Sequence, residues 1–264
     1  MNGLTATLIT LNEEQNLPRA LSSLEDLPEE IVVVDSGSRD HTCELARRYG
    51  ARVFSRPWTH FADQRNFAAA QARYDWILAL DADEELSLEL RDSLRAWKKR
   101  APAAAAYEFA RRAHYLGGWI RHSGWYPDRK ARLYRRDRAR FVGVAHDSLE
   151  VHGRVERLGG DLYHHAFRSL AEHLAKVDSY TSVAARQLYA EGLRRWRPAM
   201  LLAPPWTLVQ KFLLRGGFLD GYRGALIAWM AARYVFLKYR KLGRLVRGGS
   251  MSSGARPQEL PEKP

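Results

Sequence analysis

The feature that most constrains the fold is a regular alternation, within the first hundred residues, of short apolar runs and stretches with helical periodicity. Apolar runs occupy residues 4–10, 31–34, 51–54 and 76–80, with amphipathic stretches between and after them. Strands that are apolar throughout and separated by helices are typical of a parallel sheet covered on both faces. The sequence therefore predicts an α/β fold with a mostly parallel sheet flanked by helices. Ligands in such folds bind beyond the carboxyl ends of the strands, where the polar residues after each run would lie.

Length and composition are those of an ordinary globular protein. The chain has 264 residues, of which 46% are hydrophobic and 27% charged. These values exclude a disordered chain, a collagen-like repeat and a disulfide scaffold. Cys43 is the single cysteine, so neither an intramolecular disulfide nor a cysteine zinc cluster can form, and a reducing compartment is expected. The N-terminus has no basic stretch followed by a long apolar run, which predicts that no signal peptide is present.

The charge is distributed unevenly along the chain. Residues 1–100 hold 13 basic and 17 acidic residues, whereas residues 101–264 hold 29 basic and 13 acidic residues. Such an excess of positive charge predicts an anionic partner for the second part, which could be phosphate, anionic lipid or nucleic acid. The alternative is that the charge serves solubility in a protein from an arginine-rich genome.

Two aspartates directly follow the fourth apolar run. Asp81 and Asp83, one residue apart at a strand end, can present hard oxygen ligands to Mg²⁺ or Mn²⁺. Such a cation would neutralise charge that develops on a departing diphosphate. The alternative is an acidic loop before a helix, because Glu84 and Glu85 also favour a helix N-terminus.

Asp35 follows the second run and is itself followed by three small residues, Ser36, Gly37 and Ser38. Its carboxylate can accept hydrogen bonds from a ribose or a base, and the small residues allow a ligand to approach closely. A capped turn that leads into a helix is the alternative. The chain contains neither G-x-G-x-x-G nor G-x-x-x-x-G-K-[ST], which disfavours dinucleotide enzymes and P-loop NTPases.

Four polar segments in this order resemble a known family. They are T-x-N-E after the first strand, V-D-S-G-S after the second, Q-R-N, and D-A-D-E-E after the fourth. This pattern is similar to that of the family 2 inverting glycosyltransferases of GT-A fold, and most similar to lipopolysaccharide inner-core β-glucosyltransferases. The resemblance implies a GT-A domain with a Rossmann-like, mostly parallel sheet over residues 1–190. This domain would have a nucleotide-sugar half (1–100) and an acceptor half (101–190).

The resemblance also implies the ligands and the residues that bind them. The donor would be a UDP-sugar, the sugar a hexose such as glucose, and the acceptor a lipid-anchored oligosaccharide, with an inner-core heptose of lipopolysaccharide as the acceptor sugar. The implied nucleotide-sugar-binding residues are Thr10, Asn12, Glu14, Asp35, Ser36, Arg65, Asn66, Asp81, Ala82 and Asp83. Asp81 and Asp83 would also hold Mg²⁺ or Mn²⁺, with His165 as a third ligand and His164 as the alternative.

An inverting transfer needs a general base that takes the proton of the acceptor hydroxyl. The family places this base after the D-x-D, commonly in a His-Glu pair, and Val144-Ala-His146-Asp147 is the best match here. Asp147 is the predicted base, with Glu150 as the alternative. The His146-Asp147 pair could instead be a hydrogen-bonded structural pair in a turn.

The acceptor half is expected to contain strands over residues 107–113, 130–135 and 150–156, followed by a helix over 169–191. The aromatic loop between the first two strands offers flat apolar faces to a sugar, and an arginine in it could hold an acceptor phosphate. The predicted acceptor-binding residues are Trp119, Arg121, Trp125 and Tyr126. A packed surface loop is the alternative. On the next strand, Arg132 or Arg135 would face the diphosphate or the acceptor.

Residues 191–247 are predicted to form basic amphipathic helices, and residues 248–264 a disordered tail. The apolar stretch 217–237 is interrupted by charged residues and is not predicted to span a membrane. An aromatic apolar face with a basic end suits an interfacial position on an anionic membrane. We therefore expect a cytoplasmic protein, peripheral on the inner face of the bacterial inner membrane. Packing of these helices on the core, or on a second subunit in a homo-oligomer, is the alternative.

Two kinds of protein other than an active glycosyltransferase also match parts of the sequence. The basic part and its aromatic residues would suit a nucleic-acid-binding module, but the acidic strand end would repel phosphates, and no nucleic-acid motif is present. No nucleic-acid partner is therefore expected. A catalytically inactive GT-A scaffold that binds a partner protein is the other alternative, which the intact Asp81, Asp83 and Asp147 disfavour.

Overall fold

A computed structural model describes residues 2–143, 147–167 and 169–248. Within them the chain forms two compact units: the first from residues 2–112, 128–143 and 147–164, and the second from 113–127, 165–167 and 169–248. His146 of the predicted base motif lies outside the described residues. The tail predicted for 248–264 also lies outside them, from residue 249 onwards.

The first unit contains the parallel sheet that the apolar runs predict. Its strands are β1 (Leu4–Thr10), β2 (Glu30–Asp35), β3 (Arg52–Ser55) and β4 (Trp76–Asp81). They are parallel and lie in the order β3-β2-β1-β4. Every residue of β1 and β4 is buried, as a parallel strand covered on both faces requires. The predicted α/β class is therefore confirmed.

Antiparallel strands extend this sheet beyond β4. The further strands are β5 (Glu84–Leu86), β6 (Ala106–Tyr115), β7 (Gly118–Trp119), β8 (Asp128–Arg135), β9 (Ala139–Val142), β10 (Ser148–Val151) and β11 (Val155–Phe167). The order continues β4-β8-β6-β11-β5, β7 pairs with β6, and β9 and β10 form a separate two-stranded sheet. The sheet is therefore mixed, and the strand predicted for 150–156 is resolved into β10 and the longer β11.

Four helices accompany the strands of the first unit: α1 (Leu17–Ser22), α2 (Thr42–Arg48), α3 (Phe61–Ala70) and α4 (Leu88–Lys98). Helix α4 begins directly after Ser87, whose hydroxyl caps it by accepting a hydrogen bond from the backbone N–H of Leu90 at 3.2 Å. Leu90, Leu94 and Trp97 form its buried face at helical spacing.

The main core of this unit lies among α1, α4 and the sheet. Leu8, Leu21, Leu80 and Leu94 belong to one buried cluster there, and none is more than 2% exposed. Burying a leucine side chain of this kind contributes about 1.5–3 kcal/mol to the stability of the fold. Leu8 and Leu80 are also register partners on β1 and β4, so this core lies next to the carboxyl ends of both strands.

The second unit is mainly helical. Its helices are α5 (Leu170–Ala190), α6 (Arg197–Val209) and α7 (Gly221–Val246), with a π-helical turn (Gln210–Leu214) and a 3-10 turn (Gly217–Asp220) between the last two. Its apolar cluster joins Tyr115, Ile120 and Ile227, against which Trp125 and Phe167 pack. The helix predicted for 169–191 is thus found as α5. Among the described helices, none is long and apolar enough to cross a membrane.

Candidate active site

The carboxyl ends of β1, β2 and β4 meet at one edge of the sheet. In the parallel register Thr10 lies beside Asp35, and Ile9 lies beside Asp81. The motif residues that follow these strands are therefore neighbours, although Thr10 and Asp81 are far apart in the sequence.

Asp35 is buried and holds the turn after β2. One carboxylate oxygen accepts from the backbone N–H of Gly37 at 3.0 Å and of Ser38 at 2.8 Å. The other accepts from the Thr10 hydroxyl at 3.0 Å and from the Ser38 hydroxyl. Gly37 has φ 101°, a left-handed conformation that favours glycine. In this structure the carboxylate thus acts as the cap of a turn, the alternative that the sequence left open.

The loops after β1 and β2 are joined by hydrogen bonds. Asn12, at φ 54°, donates its backbone N–H to the Ser38 hydroxyl at 2.8 Å, and its side-chain oxygen accepts from Arg39 N at 2.9 Å. The Glu14 carboxylate accepts from His41 N at 3.0 Å, and this bond together with the His41 ring lowers the pKa of Glu14. Asn12 and Glu14 therefore fix the two loops against each other.

Arg65 joins the first aspartate of the D-x-D motif to the predicted base. This residue lies on α3 and is 4% exposed. Its terminal nitrogen donates to Asp81 Oδ1 at 2.6 Å, and its Nε donates to Asp147 Oδ2 at 2.7 Å. The guanidinium also lies 5.2 Å from the centre of the Phe141 ring. The buried Arg65 thus pairs with both Asp81, the predicted ligand of nucleotide and metal, and Asp147, the predicted base.

Arg132 is a second buried cation at this place. Its terminal nitrogen lies 3.2 Å from Asp81 Oδ2 and 3.4 Å from Glu84 Oε1. Burial alone would lower the pKa of Arg132, but the carboxylates of Glu84 and Asp81 outweigh burial and raise it. Arg135, by contrast, has a side chain that is 43% exposed, and it pairs with Asp137 at 2.8 Å. Of the two arginines that the sequence could not separate, Arg132 is therefore the one at the strand end.

Glu84 is a site residue that sequence reasoning missed. The sequence suggests that Glu84 and Glu85 favour a helix start, but both belong to β5, and Glu84 is fully buried. Its carboxylate accepts from Asp81 N at 3.0 Å and lies 3.3 Å from an Arg111 nitrogen. Nothing in the sequence separates Glu84 from Glu85, because its partners Arg111 and Arg132 lie 27 and 48 residues away.

The neighbouring histidines on β11, His164 and His165, have different contacts. His164 Nε2 lies 3.5 Å from Asp83 Oδ2. The His165 ring instead lies 5.2 Å from the His114 ring and 5.8 Å from the Trp119 ring. Successive side chains on a strand point to opposite faces, which separates the two rings. The structure thus brings His164 to Asp83, whereas the sequence favoured His165.

Asp83 and His164 are the candidate metal ligands at the D-x-D segment. In the part of the chain that the structure describes, no group of three or more His, Cys, Asp or Glu side chains is arranged to hold a metal ion. The carboxylate and imidazole of Asp83 and His164 are donors that suit Mn²⁺. Both oxygens of Asp81 face guanidinium groups, so this carboxylate is engaged elsewhere.

The remaining predicted donor residues have structural partners. Asn66 bonds the backbone of Phe141 with both ends of its amide, at 2.8 and 2.9 Å. Ser36 donates its backbone N–H to the Thr10 carbonyl at 2.9 Å, and Ala82 is buried in the main core. Glu150, the alternative base, lies on β10, is exposed, and is 3.4 Å from Arg140.

The predicted acceptor residues lie in the second unit. Trp125 packs against Phe167 at a ring distance of 6.3 Å and belongs to the core of that unit. Trp119 and Arg121 are exposed, and Tyr126 is half-buried. Trp125 therefore has a packing role, whereas Trp119 and Arg121 are accessible.

The fold and the motif residues together define a class. A parallel half-sheet whose strand ends carry the T-x-N-E, D-S-G-S and D-A-D segments, extended by antiparallel strands, is the GT-A fold. The model of the family described as "Glycosyl transferase family 2" matches residues 5–149, which is more than half of the chain. The chain therefore belongs to glycosyl transferase family 2.

Relatives match nearly the whole chain. The lipopolysaccharide core biosynthesis glycosyltransferase LpsC of Rhizobium meliloti is 30% identical over 247 residues, which are 90% of this chain and 91% of that protein. A glycosyltransferase of Rickettsia typhi is 29% identical over 257 residues, 93% of this chain and 88% of that protein. The structure of S. aureus TarS 1–349 in complex with UDP-GlcNAc has a TM-score of 0.49 and 16% identity, covering 99% of this chain and 97% of that one.

Proposed function

We propose that this protein is an inverting glycosyltransferase that moves glucose from a UDP-sugar to a lipid-anchored oligosaccharide, with an inner-core heptose of lipopolysaccharide as the acceptor. The observation that carries the proposal is the constellation at the strand ends, where Arg65 joins Asp81 to Asp147. The similarity to a lipopolysaccharide core biosynthesis enzyme over 90% of the chain supports the acceptor class.

The donor nucleotide would bind in the loops after β1, β2 and β4. Thr10 and Asp35 would lie at the base and ribose, and Asp81 near the diphosphate. Arg132 is buried and positively charged beside Asp81, so it can stabilise negative charge on the diphosphate. The ligand would replace some of the hydrogen bonds that Asp35 makes within its own turn.

Asp147 would act as the general base. As the acceptor oxygen forms its bond to the anomeric carbon, the bond from that carbon to the diphosphate breaks on the opposite face. The acceptor proton passes to the Asp147 carboxylate, and the configuration at the anomeric carbon inverts. Arg65 would orient Asp147 through the 2.7 Å hydrogen bond to its Oδ2.

Asp83 and His164 would hold a divalent cation, Mg²⁺ or Mn²⁺. When bound, the cation would offset the negative charge of the departing diphosphate. Arg65 and Arg132 bring positive charge to the neighbouring Asp81, so the two arginines and the cation would face the same diphosphate.

The proposed setting is the cytoplasmic face of the bacterial inner membrane, with the protein bound peripherally to an anionic surface or assembled as a homo-oligomer. Glycosyl transfer to another polysaccharide, a peptide or a polyprenyl phosphate is the alternative within the family. Trp119 and Arg121 are the accessible residues of the aromatic loop and would contact the acceptor sugar and its phosphate.

Calorimetric titration of the full chain with UDP-glucose, UDP-galactose, UDP-N-acetylglucosamine and GDP-mannose, each with and without Mn²⁺, tests the donor. We expect binding of UDP-glucose that strengthens with Mn²⁺. The acceptor is tested by incubating the enzyme and bound donor with heptose-terminated core oligosaccharide and determining the anomeric configuration of the product. Binding of GDP-mannose alone, or a product with retained configuration, would contradict the proposal.

A further inference from the structure

Helix α6 and the turn after it are rich in apolar residues, none of which is fully buried. The 13 residues of α6 and the 5 residues of the π-helical turn Gln210–Leu214 include five leucines, a tryptophan and a phenylalanine. No residue of either element is buried within the described structure. One side of α6 packs against α7, so the apolar residues on its other side need a reason outside the unit's own packing.

The exposed apolar residues lie on one side of the helix. Positions 201, 202, 205, 206, 209 and 213 follow the spacing of a single helical face, and all six are exposed. Leu202 is 72% exposed and Trp206 is 59% exposed. The apolar surface continues through Leu214, Phe218, Leu219 and Tyr222, each more than half exposed. We call these ten positions the α6 apolar face.

Basic residues border this face. From residue 192 to 248 the sequence holds twelve Lys and Arg residues and one acidic residue, Asp220. Arg194, Arg195 and Arg197 precede the face and are exposed, and Arg215 lies exposed within it. An apolar face with cationic borders is complementary to an anionic lipid surface, where the apolar groups enter the acyl boundary and the cations meet the headgroups.

We propose that the α6 apolar face, residues 201–222, is the segment of this protein that inserts into the interface of an anionic bilayer. The inference deepens the proposed function and rests on it for its purpose, since a lipid-anchored acceptor is reached at a membrane. The segment lies on the bilayer and does not span it, because no described helix is long and apolar enough to cross.

The charge distribution favours a lipid surface over a second copy of the chain. A second copy would bring an equally basic segment, Arg194 to Arg215, against the first, and like charges at one interface repel each other. The tryptophan at position 206 also suits the boundary between headgroups and acyl chains, where its ring is apolar and its N–H remains hydrated.

Flotation of the full chain with vesicles tests the proposal. We expect the protein to rise with vesicles of phosphatidylcholine and phosphatidylglycerol, and much less with phosphatidylcholine alone. Leu202→Asp should weaken partitioning of the protein onto the vesicles about tenfold or more. The variant loses the free energy that the natural protein gains when the leucine side chain leaves water for the bilayer. Leu88→Asp, at a first-unit leucine that is 73% exposed, is the matched control and should float like the natural protein.

A triple variant, Arg194→Gln, Arg195→Gln and Arg197→Gln, should lose the preference for anionic vesicles and respond less to added salt. Equal flotation of the natural protein and Leu202→Asp would overturn the proposal. So would a dimer in light scattering that Leu202→Asp converts to a monomer, with neither form bound to vesicles, since the face would then be a subunit interface.

Failure of this inference is distinguishable from failure of the proposed function. UDP-glucose binding by Leu202→Asp, measured by calorimetry without vesicles, should equal that of the natural protein. If the protein floats with anionic vesicles but binds no sugar nucleotide, the membrane segment stands and the proposed donor is wrong.

Discussion

At the scale of single residues, the central feature is the placement of Arg65. The Q-R-N segment that contains it resembles a nucleotide-contacting element, and the resemblance implies that Arg65 and Asn66 bind the nucleotide sugar. In the structure Arg65 contacts Asp81 and Asp147, and Asn66 binds the backbone of Phe141. Both residues of the segment thus connect α3 to neighbouring elements of the first unit.

Replacing Arg65 by alanine should destabilise the protein strongly. The change leaves two carboxylates, Asp81 and Asp147, without their shared cation in a largely buried place, which costs about 3–5 kcal/mol. Arg56→Ala is the matched control, because Arg56 pairs with Asp63 at a more exposed position and should cost about 1 kcal/mol or less. Urea denaturation measures the free energy of unfolding of both variants. Equal losses of stability in Arg65→Ala and Arg56→Ala would show that burial of the Arg65 ion pairs does not add to their contribution.

Asp147→Asn should retain donor affinity and lose glycosyl transfer by about 10²–10⁴-fold, because the amide cannot take the acceptor proton. Steady-state turnover and donor titration separate the two effects. Glu150→Gln is the control: Glu150 is exposed beside Arg140, and its substitution should leave turnover unchanged. Loss of turnover in Glu150→Gln with normal turnover in Asp147→Asn would move the base to Glu150.

His164→Gln and Asp83→Asn should each weaken the Mn²⁺-dependent part of donor binding. We expect about tenfold or more, since even loss of an outer-shell partner costs this much at metal sites. His165→Gln serves as the control, because its ring contacts His114 and Trp119. Calorimetric titration of UDP with and without Mn²⁺ provides the measurement, and a larger effect of His165→Gln would restore the ligand that the resemblance implied.

At the scale of elements, strand β11 determines which histidine reaches the site. The sequence predicts a strand only to residue 156, but β11 runs from Val155 to Phe167 and pairs with β5 through Leu162, Tyr163 and His164. Pairing with β5 fixes which side chains face the D-x-D loop. The same strand meets the start of α4, where Ser87 has two tasks.

Ser87→Ala should destabilise the protein by about 2 kcal/mol. The hydroxyl accepts from Leu90 N at 3.2 Å as the cap of α4, and from Asp161 N on β11 at 3.1 Å, so two buried donors lose their partner. Ser169→Ala at the start of α5 is the control, since Ser169 is exposed and its hydroxyl caps the helix by accepting from Glu172 N at 3.1 Å. Thermal unfolding should show the smaller loss, about 1 kcal/mol, for Ser169→Ala.

At the scale of the whole molecule, the two units depend on different interactions. The first unit combines an apolar core with a network of arginines and carboxylates at the strand ends. The second unit has a small aromatic core, in which His173 stacks on Phe167 at 4.1 Å and lies 2.7 Å from the Tyr115 hydroxyl. A buried histidine makes the stability of this core sensitive to acid.

Stability should fall as the pH is lowered below 6.5, because of His173. Burial, with a smaller contribution from Lys176, lowers the pKa of His173 to about 4 from its ordinary value of 6.5. Between these values the unfolded chain binds a proton that the folded chain does not, so unfolding becomes easier as the pH falls, by at most about 1.4 kcal/mol per pH unit. His173→Gln should flatten the curve of unfolding free energy between pH 6.5 and 5, and an unchanged slope would assign the sensitivity elsewhere.

The parallel half of the fold was predictable because its signals are local. Apolar runs, helical periodicity and the Ser87 cap each depend on residues within one element, and β1, β2 and β4 appear where the runs predict them. The network of the site was less predictable, since Arg65 meets Asp147 across 82 positions of the sequence. The choice between Arg132 and Arg135 likewise needed the pairing of β8 with β4.

The sequence by itself determined the α/β class, the motif residues at the strand ends and the family resemblance that the matches support, because each depends on short patterns. Only the tertiary structure decided that Arg65 and Arg132 hold Asp81, that Glu84 is buried, and that His164 and not His165 lies beside Asp83. The physical reason is that a hydrogen bond acts over about 3 Å and is indifferent to sequence separation, so its partners are known only when strands and helices are packed.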